Sequence, residues 1–268
     1  MTKDTTTERA NEDDQCTDSD SCPADSRNTD GTSVDAILER VEGALNRRAF
    51  LRTTASAGVG LSMLSVAGSD PTAGSLHSTN DEPRTAFSAK EDNDSVTDID
   101  VLNYALTLEQ LEATFYTCGQ EKFSECEIEN SAAAKRLGKE LQSSTYDYFN
   151  RIRDHEQTHV EQLTTVINDL GGEPVSGLEF EFPLDTVEDY FALARTFENL
   201  GVSAYDGAIA LIDSGELQTA GATIATVEAR HASYLNLLTG EVPFPDAFDE
   251  PKSMEDVRAA ASEFIVEQ

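Results

Sequence analysis

The chain has 268 residues, with 19 Lys and Arg against 51 Asp and Glu and a formal net charge of −32. Phosphate contacts require clustered basic side chains, so a nucleic-acid partner is not expected. From Ser69 onward there are still 12 basic and 39 acidic residues, and acid dispersed in this way suits a surface that stays soluble in concentrated salt, pointing to a halophilic, archaeal host.

Residues 1–46 are rich in Thr, Asp, Ser and Asn. They carry too little apolar surface to fold alone, and only "VDAILERVEGAL" reads as a short helix. Arg47 and Arg48 then lead into Phe50, Leu51 and a weakly apolar run. The segment 47–68 resembles a twin-arginine (Tat-type) export signal, with "SVA" at 65–67 as the cleavage candidate. Its apolar run is short and rich in Gly and Ser for a membrane span, so an uncleaved anchor is the lesser alternative. The expected location is extracellular or at the cell surface, with membrane contact only through the signal. Residues 69–97 read as a polar linker.

Four helices follow, over 98–118, 141–170, 186–213 and 216–239. The first carries Leu102, Ala105, Glu109, Glu112 and Tyr116 on one face. The second places Phe149, Ile152, Glu156, His159, Leu163, Val166 and Leu170 at alternating steps of three and four, the inward stripe of a bundle helix. The third repeats the theme with Val187, Phe191, Ala194, Glu198, Gly201, Tyr205, Ala208 and Ile212, and the fourth with Leu217, Gly221, Ile224, Glu228, His231, Leu235 and Leu238. Glu109 stands seven residues before Tyr116, as Glu198 does before Tyr205, and each such helix precedes one bearing Glu-x-x-His. The two halves therefore read as helix pairs facing each other across a pseudo-twofold axis. Between them "GGEPVSGLEFEFPLD" can reach roughly 50 Å, enough for a long crossover between helices two and three. Cys118 and Cys126, eight residues apart, are expected to pair on the oxidising side of a membrane. A capped short helix at "SMEDVRAAASEFI" completes the 241–268 tail.

Glu-x-x-His alone is a weak signal, but its register puts four carboxylates inside the bundle. An unpaired buried charge costs several kcal/mol. Arg195 and Arg230 are the nearest bases in sequence, and neither lies on a stripe. Two divalent ions would offset four carboxylates, with neutral His completing the shells. His155 falls off the seam and reads as a surface residue, and Glu112, whose counterpart in the repeat is Gly201, ranks below Glu109.

The segments "LNYALTLEQLEATFY", "HEQTHVEQL", "LGGEPV", "FENLGVSAYDGA" and "VEARHASYL" resemble the ferritin-like superfamily, in particular its exported, desiccation-related branch. The resemblance covers 98–240 and implies an all-α four-helix bundle holding a dinuclear carboxylate site. By motif, Glu109, Glu156, His159, Glu198, Glu228 and His231 are the implied metal ligands, with Glu156 and Glu228 bridging. Tyr116 and Tyr205 match a tyrosine that stands near the metals, where it can hydrogen-bond a ligand or be oxidised. The implied cofactors are two transition-metal ions, iron first and manganese second. The implied activity is oxidation of metal ions or a small substrate by oxygen or peroxide, with a manganese catalase-like reaction a further possibility. The alternative is a non-enzymatic, stress-protective module, and an oligomer is compatible with either.

Overall fold

The computed structural model describes residues 33–41, 43 and 96–266. The twin-arginine segment at 47–68 and the linker up to residue 95 lie outside the described residues, as does most of the segment before residue 47. Residues 34–41 form α1. The bundle follows with α2 (Asp98–Lys122), short turns of helix α3 (Glu125–Asn130), α4 (Ala132–Arg136) and α5 (Lys139–Gln142), then α6 (Thr145–Asp169), α7 (Val187–Ala208) and α8 (Gly215–Thr239), with α9 (Met254–Ala261) closing the chain. The only extended pairing among these residues is an isolated bridge between Phe180 and Ile265. No described helix is long and apolar enough to cross a membrane.

The internal repeat extends into the helix caps. Thr97 opens α2 and Thr186 opens α7, each in a reciprocal capping box with an Asp three residues on, Asp100 and Asp189. Such boxes satisfy two otherwise orphaned backbone donors and fix where the helix starts. In both helices the buried Glu lies twelve residues after that Thr and the buried Tyr nineteen after it. The two halves thus set the same residue types at the same depth from an identical start signal. α8 begins at a Ser214 cap and stops at Gly240, whose left-handed φ of 93° suits a residue without Cβ.

α2 packs along α6 and α7 along α8, and the pairs meet chiefly through α2 and α7. Phe115 sits at the centre of this contact, with its ring 4.8 Å from Phe197 and 5.2 Å from Phe182. Burial of each such ring contributes about 1.5–3 kcal/mol. The connection from α6 to α7 runs the length of α2, as expected of a crossover. Near its start Asn103 donates to the Glu173 carbonyl and accepts from the Val175 amide, and Gln110 donates to the Val175 carbonyl. Farther along, Phe182 and Leu184 are buried.

Three details depart from the sequence reading. The stretch after α2 carries three short helices where a loop was expected. On α6, Ile167 is fully buried while Leu170 is 49% exposed, because the helix ends at Asp169 and Leu170 already belongs to its cap. On α8, Leu217, Gly221 and Ile224 are only half-buried, because they line a cavity between this helix and its neighbours. Cys118 and Cys126 are both disulfide-bonded.

α9 is capped by Ser253, which accepts from the Asp256 amide, and buries Val257, Ala260 and Ala261. The tail leading into it crosses α7 where Lys252 donates its amide to the Ser203 carbonyl at 3.0 Å. A Cβ on Gly207 would overlap the Lys252 carbonyl oxygen. Both groups are backbone and cannot swing aside, so Gly207→Ala should cost about 1–3 kcal/mol or more. Denaturant unfolding reads this directly, and an unchanged midpoint would refute the close crossing.

α1 docks on the same body. Val34, Ile37 and Val41 are buried in the main core, and Arg40 pairs with Glu263 at 3.1 Å. Val41 faces a surface pocket shared with Arg195 and Leu200 of α7.

Candidate metal centre

Glu109, Glu156, Glu198 and Glu228 are each 0% exposed, and they come from α2, α6, α7 and α8 in turn. His159 and His231 lie one turn beyond Glu156 and Glu228 and turn their Nδ1 atoms into the same space. His159 Nδ1 stands 3.1 Å from Glu109 Oε2, 3.1 Å from Glu156 Oε2 and 3.2 Å from Glu228 Oε1. His231 Nδ1 stands 3.1 Å from Glu156 Oε1, 3.2 Å from Glu198 Oε2 and 3.9 Å from Glu228 Oε2. Glu156 and Glu228 therefore each direct one oxygen toward either histidine, while Glu109 and Glu198 each serve one side. Two sets result, Glu109, Glu156, His159 and Glu228, and Glu156, Glu198, Glu228 and His231, each with its ligand atoms within 4.8 Å of one another.

The tyrosines cross between the helix pairs' leading members. Tyr116 of α2 donates its hydroxyl to Glu198 Oε1 at 2.6 Å, and Tyr205 of α7 donates to Glu109 Oε1 at 2.5 Å. Each terminal glutamate thus has one oxygen held by a phenol and the other turned toward a histidine. Burial, followed by the neighbouring glutamate, pushes both phenols well above their usual range, so they remain proton donors. The seven-residue Glu-to-Tyr spacing is the sequence signal of this exchange.

Protons alone do not balance the cluster. One Nδ1 proton cannot serve three acceptors, and Glu156 Oε1 and both oxygens of Glu228 are buried without any hydrogen-bond partner among the described residues. Their distances to the histidines are ion-pair distances without hydrogen-bond geometry. Among the described residues no Lys or Arg pairs with these glutamates. Burial opposes the protonated form of His159, but its contacts with Glu109, Glu156 and Glu228 override this and push it up to about 12. Burial likewise opposes the His231 cation, and Glu198 and Glu156 push it up to about 11. Burial would raise Glu156, yet the two histidines draw it down to about 2. Burial raises Glu109 to about 7 and Glu228 well above the usual carboxylate range. Such a cavity, lined by carboxylate oxygens and two imidazole nitrogens with several acceptors unmatched, fits a pair of divalent cations.

Three residues add to what the motifs indicate. Glu112 is 3% exposed, and burial followed by Glu228 pushes its carboxyl well above the usual range. Burial thus favours its neutral form, and it lies beside the cluster, outside both ligand sets. Gly201 explains its room: a Cβ there would come 3.3 Å from Glu112 Oε1 and 3.5 Å from Glu228 Oε2. His155 corrects the sequence reading, which placed it on the surface. It is half-buried, and its Nδ1 lies 2.9 Å from His231 Nε2. Burial, with the His231 charge, lowers the His155 pKa and so favours the neutral ring, whose Nδ1 accepts in the Nε2–H tautomer. If His231 ligates through Nδ1, its Nε2 proton is donated to His155, and that bond fixes tautomer and ring orientation. His155 sits next to Glu156 in sequence, so helical register hid a contact that an imidazole can make across to α8.

A family model of the ferritin-like domain matches residues 97–241. The chain belongs to the ferritin-like family. No curated protein matches the sequence. Within the ferritin-like domain, His155→Ala is expected to weaken one of two metal positions by about 10–100-fold while leaving the other. Competitive titration against a chelating dye would show this, and two unchanged affinities would return His155 to the surface role.

Proposed function

We propose that the ferritin-like bundle holds two transition-metal ions, iron first and manganese second, and oxidises metal ions or a small substrate with oxygen or peroxide. Glu109 and His159 would be terminal ligands on one side, Glu198 and His231 on the other, with Glu156 and Glu228 bridging. The observation that carries this reading is the trio of buried carboxylate oxygens without a donor, set between two imidazole nitrogens. When bound, the two ions supply electron exchange with oxygen or peroxide. The chain's own residues would hold protons nearby: Tyr116 and Tyr205 on the terminal glutamates, and Glu112 as a buried acid.

Protein loaded with ferrous ion under anaerobic conditions should consume oxygen on exposure to air, in proportion to the metal bound. Manganese-loaded protein should be assayed in parallel for release of oxygen from peroxide. Two bound ions with neither reaction would leave the metal site standing and assign the chain to the non-enzymatic, stress-protective alternative.

Export by the twin-arginine pathway to the cell surface or medium is part of this proposal and rests on Arg47, Arg48, Phe50 and Leu51. In the native host Arg47→Lys with Arg48→Lys should retain the chain inside the cell. Unchanged export of the double variant would refute the route.

A further inference from the structure

A cavity of about 400 Å³ lies beside the metal centre, walled by α2, α6, α7 and α8. His159 and Tyr205 belong to its wall and to the centre at once. The cavity has a sequence cause. Ala105, Ala204 and Ala208 face it with short side chains, Gly221 with none, and Leu217 and Ile224 of α8 are only half-buried. Exposed Ala220 and Thr223 on the same helix bring the cavity to the surface.

Its chemistry is selective. No Asp, Glu, Lys or Arg lines it, so it offers nothing to guide a hydrated metal ion, which would need carboxylates along its path. The walls are mainly aliphatic, and the volume falls within the roughly 300–1,000 Å³ of small-molecule sites. Apolar cavities take apolar ligands because ordered water finds too few partners in them. One polar feature stands out: Tyr104 is on the wall, and its hydroxyl is buried without a hydrogen-bond partner among the described residues. The cavity also breaks the pseudo-twofold symmetry. It reaches the His159 side of the centre, whereas the Nε2 atom of His231 is held by His155.

We propose that this cavity binds a neutral, largely aliphatic small molecule carrying one hydrogen-bonding oxygen, and presents it to the His159 side of the centre. That this molecule is the substrate rests on the dinuclear reading; that the cavity binds it does not. The reading narrows the substrate to an organic compound and places metal ions in the cofactor role.

The test uses full-length, metal-free protein and octan-1-ol, followed by calorimetry and thermal melting. Wild type should bind one molecule per chain and melt at a higher temperature with the alcohol present. Gly221→Leu and Ala105→Leu fill the cavity from opposite walls, and each should weaken binding at least tenfold. Gly221 tolerates the new Cβ, which would meet Ile209 at an ordinary 3.4 Å, so at least this variant should retain a cooperative melt. Equal binding by all three proteins, or none by wild type, overturns the proposal. A wild-type dimer that takes up no alcohol would overturn it in favour of a second copy as the occupant of the groove. Wild type that takes up octan-1-ol but no ferrous ion would sink the dinuclear reading and leave the cavity site standing. The converse pattern would sink the cavity alone.

Discussion

Glu156→Ala and Glu228→Ala should each remove most of both metal ions, where wild type is expected to hold two per chain. Each of these carboxylates turns one oxygen toward either histidine, so either truncation strips a ligand from both positions. Glu109→Ala and Glu198→Ala should instead empty one position preferentially, since each faces a single histidine. Glu112→Ala should do less, because its carboxyl belongs to neither ligand set. Plasma emission on protein loaded with excess ferrous ion, then desalted, distinguishes these patterns. Equal loss from all five variants would contradict the bridged arrangement. A wild type that remains empty would remove the metal reading altogether.

Metal uptake should release protons and tighten steeply as pH rises. At neutral pH the metal-free cluster holds a proton on each histidine, His159 being pushed up to about 12 and His231 to about 11. Ligation requires both Nδ1 atoms neutral, so loading must expel these two protons. Two protons released correspond to on the order of 100-fold in the combined two-ion constant per pH unit. Calorimetry in buffers of different ionisation enthalpy measures the release, and uptake without it would refute the histidine assignment. Stability of the metal-free fold follows the opposite sign for these residues. Their pKa values lie above the unfolded value, so their contribution is fully present below about 6.5 and is lost as pH rises through about 11 to 12. The Glu156 contribution is present above its unfolded value and is lost as pH falls through about 2. Bound metal should raise the melting temperature at neutral pH, by about 2.7 kcal/mol of stability at a free concentration 100 times the Kd.

Periodicity identified the four long helices, their inward faces and the crossover, because a strict three-four alternation leaves little freedom in how a helix can bury its apolar residues. The candidate ligands were legible for the same reason: Glu109, Glu156, Glu198 and Glu228 occupy stripe positions where a solvated residue has no place. Periodicity assigns a face and says little about depth or reach. Leu217 and Ile224 are in register with the core, yet both are only half-buried on a cavity wall. His155 is out of register, yet its ring is long enough to reach His231. Glu112 stands on the stripe opposite Gly201, and only the packing of α2 against α7 shows that the glycine makes room for it.

The docking of α1 bears on what processing would do to the molecule. Residues 34–41 and the bundle from residue 96 onward belong to one packed body, and the proposed export signal lies between them in sequence. While the chain is continuous, α1 re-forms its contacts at the effective concentration set by the tether. Cleavage after Ala67 would turn the same contact into a two-molecule complex whose occupancy falls on dilution. Three buried aliphatic side chains, Val34, Ile37 and Val41, offer at most about 5–9 kcal/mol before the cost of ordering the helix. Were the chain exported and cut as proposed, the domain left behind would shed this helix on dilution and present, beside Glu263 and Leu200, a strip of apolar surface that the uncut chain keeps covered.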